Sequence, residues 1–211
     1  MSIGTYAELQ AAVSAWMLRA TNDSVVTTSQ VQNYIFLCEA ELNRVLKVRE
    51  LETDVALPTV AAQDYVSLPS DYKKMSSFEY DDNSANLDEV GSRQELKRKW
   101  GNVAQQPTEY SVFGSKIYLG ATPDAIYTTH LYYFKAIPSL TNSNTTNAIL
   151  TAFPDLYLSG AVRQGCMQVS NQKKKEEAEA NYTAAITMVR QADMDNRLSS
   201  NARMKTRRRL A

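Results

Sequence analysis

Histidine is almost missing from this chain: His130 is the only one in 211 residues. Metal centres built on several imidazoles are therefore excluded, and the commonest general base has a single candidate. Cysteine is scarce as well. Cys38 and Cys166 show no metal-ligand spacing and each falls inside an apolar helical pattern, so they read as small buried thiols of a reducing compartment rather than as a disulfide. The seven glycines build no phosphate-cradling loop and no Gly-x-Ser-x-Gly elbow. No apolar run is long enough to cross a bilayer. The first residues show no basic segment followed by an apolar one, so neither a secretory signal nor a membrane partner is expected. A formal net charge of +0 argues against a body devoted to coating nucleic acid.

What is present is a chain with 44% hydrophobic and 22% charged residues, enough to bury a sizeable core. Its hydrophobic period changes twice. Thr5-Tyr-Ala-Glu8 fits a capping box, and Tyr6, Leu9, Val13, Trp16, Met17 and Ala20 follow at helical spacing. Thr27-Thr-Ser-Gln30 is a second capping signal, before Val31, Tyr34, Ile35, Cys38, Leu42 and Val45. Glu39, Glu41, Arg44, Lys47 and Arg49 cover the remainder, which reads as a solvated or subunit-facing surface.

Near Glu50 the pattern turns to short strands. Leu51–Leu57, Tyr65–Leu68 and Met75–Tyr80 alternate, with a Leu68-Pro-Ser-Asp-Tyr72 turn between the last two. Asp81 to Asn86 is a polar loop, and Ser92 caps a short helix that ends near Trp100. Tyr110–Phe113 and Lys116–Leu119 flank Gly114-Ser115, the composition of a type II′ hairpin. Ala125–Ala136 reads as one long strand. Pro154 and Asp155 then open a third long helix, proline being tolerated and aspartate favoured in a first turn. A fourth runs from about Lys173 to about Leu198 with Ala178, Tyr182, Ala185, Ile186, Val189 and Ala192 on its core face. Lys173–Glu177 and Lys175–Glu179 are its expected charge pairs.

This order predicts an α+β fold: a four-helix bundle built from both chain ends, an inserted β-rich lobe and an extended C-terminal arm. The expected divisions are 1–50 and 153–198 for the bundle, 51–140 for the lobe, 141–152 for a loop and 199–211 for the arm. Gly160, Ala161 and Gly165 are expected to let a neighbouring helix approach closely, offsetting the helix propensity that glycine gives up.

No catalytic, cofactor-binding or metal-binding constellation emerges. His130 reads as a strand residue of a sheet surface. Asp81 with Asp82, and Asp88 with Glu89, read as solvated loop charge. Lys97, Arg98 and Lys99 before Trp100 read as a solvated helix face. Many of the twelve tyrosines fall in the strand lobe, where packing accounts for them and where a contact surface would also use them. The sharpest candidate is the arm. Arg203, Lys205, Arg207, Arg208 and Arg209 crowd the last eleven residues, which hold no acid, and leave the rest of the chain with an acidic excess. Such an arm suits carboxylates or phosphates, so its partner is an acidic protein groove or DNA.

Several segments succeed one another in a telling order: Gly4-Thr-Tyr-Ala-Glu-Leu-Gln-Ala-Ala-Val-Ser-Ala-Trp16, Cys38-Glu-Ala-Glu-Leu-Asn-Arg44, Val48-Arg-Glu50, Leu68-Pro-Ser-Asp-Tyr72, Tyr132-Tyr133 before Ile137-Pro-Ser-Leu140, and Phe153-Pro-Asp-Leu-Tyr-Leu-Ser-Gly-Ala161. Together they resemble the head-to-tail connector, or adaptor, proteins of short-tailed phages, whose members include tail tubular proteins of the A type. The asparagine- and threonine-rich loop before Phe153 and the arginine-rich end have no counterpart among these segments. The resemblance implies a structural virion protein, made in the host cytoplasm, that forms a dodecameric ring at the neck. It implies the portal protein above, tail nozzle or tube proteins below, passage of DNA through the lumen and no cofactor. On that reading the arm, through Arg203, Lys205, Arg207, Arg208 and Arg209, docks on the portal. The alternative is a nucleic-acid-binding protein that uses its basic tail, with salt-dependent affinity. An enzyme is disfavoured because no positioned pair of carboxylates stands out.

Overall fold

Reciprocal caps start both N-terminal helices. Glu8 N–H donates to Thr5 Oγ1 (3.3 Å), while the Thr5 and Gly4 N–H groups donate to Glu8 Oε2 (3.1 and 2.8 Å). Helix α1 then runs Tyr6–Thr21. Thr27 and Gln30 form the same box before α2, Thr28–Val45. The computed structural model describes residues 3–21, 26–81, 87–168 and 172–197. The basic positions 203, 205 and 207–209, and Asp82, lie outside the described residues.

Among the described residues, a 3₁₀ turn at Arg49–Leu51 leads to seven strands and one helix: β1 Glu52–Ala56, β2 Tyr65–Ser67, β3 Tyr72–Tyr80, β4 Asp88–Glu89, α3 Arg93–Trp100, β5 Glu109–Phe113, β6 Lys116–Leu119 and β7 Thr129–Lys135. Three helices follow: α4 Ala148–Ala152, α5 Pro154–Cys166 and α6 Gln172–Arg197. The class is α+β. The chain divides into a helical unit, residues 1–50 with 137–211, and a strand unit, residues 51–136.

The strand unit holds two sheets. One has the order β1-β7-β3, antiparallel throughout; the other is β2-β6-β5-β4, with β4 parallel to β5. Alternate side chains of both sheets meet in one core: Phe78, Leu131 and Tyr133 from the first, Val66, Tyr110 and Ile117 from the second. Phe78 meets Tyr110 edge to face at 5.4 Å. The β5–β6 hairpin turns at Gly114, φ 61°, and Ser115 keeps an ordinary φ, the signature of a II′ turn. The long strand expected over 125–136 begins only at Thr129.

In the helical unit α5 is the hub. It packs on α1, α2 and α6, and α1 also packs on α2. Ile137 to Leu140, placed with the lobe by the sequence pattern, belong to this unit. Ile137 N–H donates to Asn43 Oδ1 (2.8 Å), Asn43 Nδ2 returns a bond to the Ile137 carbonyl (3.3 Å), and Leu140 N–H donates to Glu39 Oε1 (2.9 Å). The segment expected as loop over 141–152 contains α4. Asn147 caps it by accepting from Leu150 N–H at 2.8 Å and fastens it by donating to the Pro138 carbonyl at 2.9 Å. On α6, Ala178, Tyr182, Ala185 and Val189 are buried, whereas Ala192 is exposed and Ile186 is half-buried.

Candidate functional site

Pro154 at the first helical position starts α5, and two glycines let neighbours close on it. A Cβ on Gly160 would stand 2.4 Å from Cys38 Sγ of α2 and 3.2 Å from the Tyr182 ring of α6; one on Gly165 would stand 2.6 Å from Met17 Sδ of α1. Ala161 is fully buried beside them. Both cysteines are buried free thiols, and burial pushes the Cys38 thiol far up, so it is chemically inert.

Polar groups knit the same helices together. Glu39, expected on a solvated or subunit-facing surface, is 3% exposed. It accepts from Leu140 N–H and from Tyr157 Oη (3.3 Å), and Asn147 Nδ2 donates to that phenol oxygen at 2.8 Å. Burial raises the Glu39 carboxyl above its ordinary value, and burial beside Glu39 pushes the Tyr157 phenol up. The missed signal was phase: Glu39 lies four residues after Ile35 and three before Leu42, on the apolar stripe of α2. Arg163 of α5 is paired with Glu41 of α2 and, at 3.0 Å, with Glu179 of α6, and its guanidinium lies 4.4 Å from the Tyr182 ring centre. Glu179 thus meets Arg163 rather than the expected Lys175, and Lys174 pairs with Glu177 at 3.4 Å.

Among the described residues the surface of the helical unit is apolar in several places, one of them the flank of α6 at Ala180, Ala184 and the exposed Met188. On α2, Phe36 is 61% exposed and Leu37 stands beside it. Between α1 and α6 a groove of about 510 Å³ opens over α5, floored by Leu158 and Val162 and walled by Trp16 and Ala178. Trp16, expected in the core, is 50% exposed because this gap leaves its face of α1 uncovered. Arg19, Asp155, Lys174 and Glu177 rim the groove.

The remaining candidates stay apart. His130 lies on the outer face of β7, its Nε2 3.4 Å from Asp81 Oδ1 and its Nδ1 3.9 Å from Asp54 Oδ2. Asp88 and Glu89 are exposed on β4. Lys99 pairs with Glu109, which also accepts from Trp100 Nε1 at 2.7 Å, so this tryptophan is held within the lobe. Among the described residues no group of three or more His, Cys, Asp or Glu side chains could hold a metal ion, and no helix is long and apolar enough to cross a membrane.

The helical unit thus carries uncovered apolar faces, and comparison with known families decides what kind of protein bears them. The family model described as SU10 adaptor protein matches residues 4–207, taking in both units and most of the basic arm. The chain belongs to the SU10 adaptor protein family. A search of curated proteins returns no match. Membership makes it a phage adaptor, with a structural rather than enzymatic part at the head–tail junction. On an SU10 adaptor, exposed apolar faces of this kind are the surface features that most need explanation.

Proposed function

We propose that this SU10 adaptor assembles as a dodecameric ring at the virion neck between the portal and the tail nozzle or tube, and that DNA passes through its lumen. The observation that carries this reading is the pair of separate apolar surfaces on the helical unit, the face of α2 at Phe36 and the groove between α1 and α6. A ring built from one kind of subunit needs two different surfaces on each copy. The basic arm, through Arg203, Lys205, Arg207, Arg208 and Arg209, docks on the portal by charge-assisted contacts, and the ring multiplies each weak contact. Gly160, Ala161 and Gly165 hold the helices close enough to keep the subunit rigid in that ring. The acidic excess outside the arm suits a passage that must not grip phosphate.

The test is to mix the full chain with the portal of the same phage and image it by negative stain. Rings stacked beneath the portal are expected, and deletion of 201–211 should leave a folded chain that no longer joins it. A truncated chain that still decorates the portal removes the docking role of the arm. A full chain that never forms rings removes the assembly itself.

A further inference from the structure

We infer that the exposed face of α2 on one copy, anchored by Phe36, fills the groove between α1 and α6 on the next copy. This rests on the ring reading above and names the two surfaces that would close the ring.

The two surfaces lie at opposite sides of the helical unit. At about 100° per residue, Leu158 and Val162 occupy the side of α5 opposite Tyr157, Gly160 and Gln164. The latter side meets α2: Glu39 reaches Tyr157, Cys38 stands over the Gly160 position, and Glu41 accepts from Gln164 at 2.9 Å. On α2 itself the same geometry repeats. Ile35, Cys38 and Leu42 are buried, while Phe36 and Leu37 stand on the outward side. The exposed face of α2, α2, α5 and the groove therefore follow one another across the unit. Surfaces so placed cannot meet within one copy. Between copies they form a head-to-tail contact, and such contacts generate rings where the rotation closes.

Charge fits the same pairing. From Thr28 to Cys38 the chain has no Asp, Glu, Lys or Arg, although Gln32, Asn33, Phe36 and Leu37 are not covered by the unit's own core. A solvent-facing helix surface ordinarily carries charge. The groove has an apolar floor, and its charges stand at the rim as two cations, Arg19 and Lys174, with two anions, Asp155 and Glu177. An uncharged face entering an apolar groove leaves no unpaired charge stripped of water. An apolar centre inside a polar rim is the usual anatomy of a protein contact.

The experiment uses two surface variants of the full chain, Phe36→Asp and Leu158→Arg, with circular dichroism and thermal melts to verify that each is folded. Self-association is followed by sedimentation velocity at the highest soluble concentration, and by the number of copies bound to the portal. Each variant alone is expected to lose association by about 30-fold or more, as for an anchoring aromatic. Mixed one to one, they should form dimers and stop there, because Phe36→Asp retains an intact groove and Leu158→Arg an intact α2 face. If wild-type chain forms rings and either variant forms them equally well, or if the mixture yields no dimer, the pairing of these surfaces is overturned while the ring stands. If wild-type chain remains monomeric both alone and on the portal, the ring reading fails and the pairing with it.

Discussion

Gly160 stands so close beneath Cys38 that a single added methyl carbon would lie 2.4 Å from its sulfur. The sulfur is fixed in turn, since Cys38 is buried and its Sγ lies 3.9 Å from the Tyr157 carbonyl oxygen. Gly160→Ala should therefore destabilise the helical unit even though alanine is the better helix former. Overpacking costs about 1–3 kcal/mol and the propensity gain is about 1 kcal/mol. Adding Cys38→Ala should recover most of the loss, a non-additivity that urea unfolding of the single and double variants would reveal. Gly165→Ala should cost less, because the atoms in its way are the flexible end of Met17. Equal losses at the two glycines would contradict this account.

Glu39 makes stability depend on pH in a definite direction. Burial raises its carboxyl above the ordinary 4.5, and the bonds from Leu140 and Tyr157 oppose this only in part. The folded chain then keeps the proton to higher pH than the unfolded chain. The stability gained from this is fully present in acid below 4.5 and is lost as pH rises toward the folded value. Unfolding free energies of wild type and Glu39→Gln, measured from pH 4 to pH 8 (about the range in which a raised carboxyl titrates), should diverge in favour of the variant as pH rises. A gap that does not vary with pH would show that Glu39 ionises normally.

Arg163 is 12% exposed at its side chain and serves carboxylates on two different helices. Arg163→Ala leaves Glu41 partly buried without its cation and should cost about 3 kcal/mol. Arg163→Lys should restore little, since an ammonium cannot fork between Glu41 and Glu179 while lying over the Tyr182 ring. Thermal melts of the two variants at low and high salt give the comparison. A fully stable lysine variant would mean that charge alone suffices.

In the strand unit a Cβ on Gly120 would meet Trp100 Nε1 at 2.7 Å and Cδ1 at 2.8 Å. Gly120→Ala should push the indole off its bond to Glu109 and toward water. In a Trp16→Phe background, which leaves Trp100 as the sole tryptophan, the emission maximum should shift to the red and the strand unit should lose about 1–3 kcal/mol. An unchanged spectrum would place the ring elsewhere.

The parts of this fold that were legible in the amino-acid sequence are those written within a few residues. Thr5 with Glu8 and Thr27 with Gln30 reach across one helical turn, Gly114-Ser115 carries its own turn, and Pro154 marks its own helix start. The parts that were not legible depend on a distant partner. Glu39 looks like surface charge until Leu140, one hundred and one residues away, is seen to donate to it. Trp16 looks like core until α6 is found to leave a gap beside it. The two residues of β4 carry no strand pattern and pair only because β5 offers a parallel edge. The uncovered apolar faces were hidden for the same reason: Phe36 reads as one more apolar residue on an apolar helix until its side of α2 proves exposed.

The placement of the strand unit within the chain has a consequence for biosynthesis. Residues 51–136 are all made before α5, the hub on which α1, α2 and α6 pack. On the ribosome α1 and α2 emerge early, with their stripes of Leu9, Val13, Ile35 and Leu42 in search of cover. The strand unit, whose core is drawn from its own residues, is the first part able to close as chain synthesis proceeds from the N-terminus. The helical unit must wait for residues 154–166, so the half-made adaptor spends the interval with an uncovered helix pair. That interval is when chaperones would hold it, and slower translation through the strand unit would lengthen it.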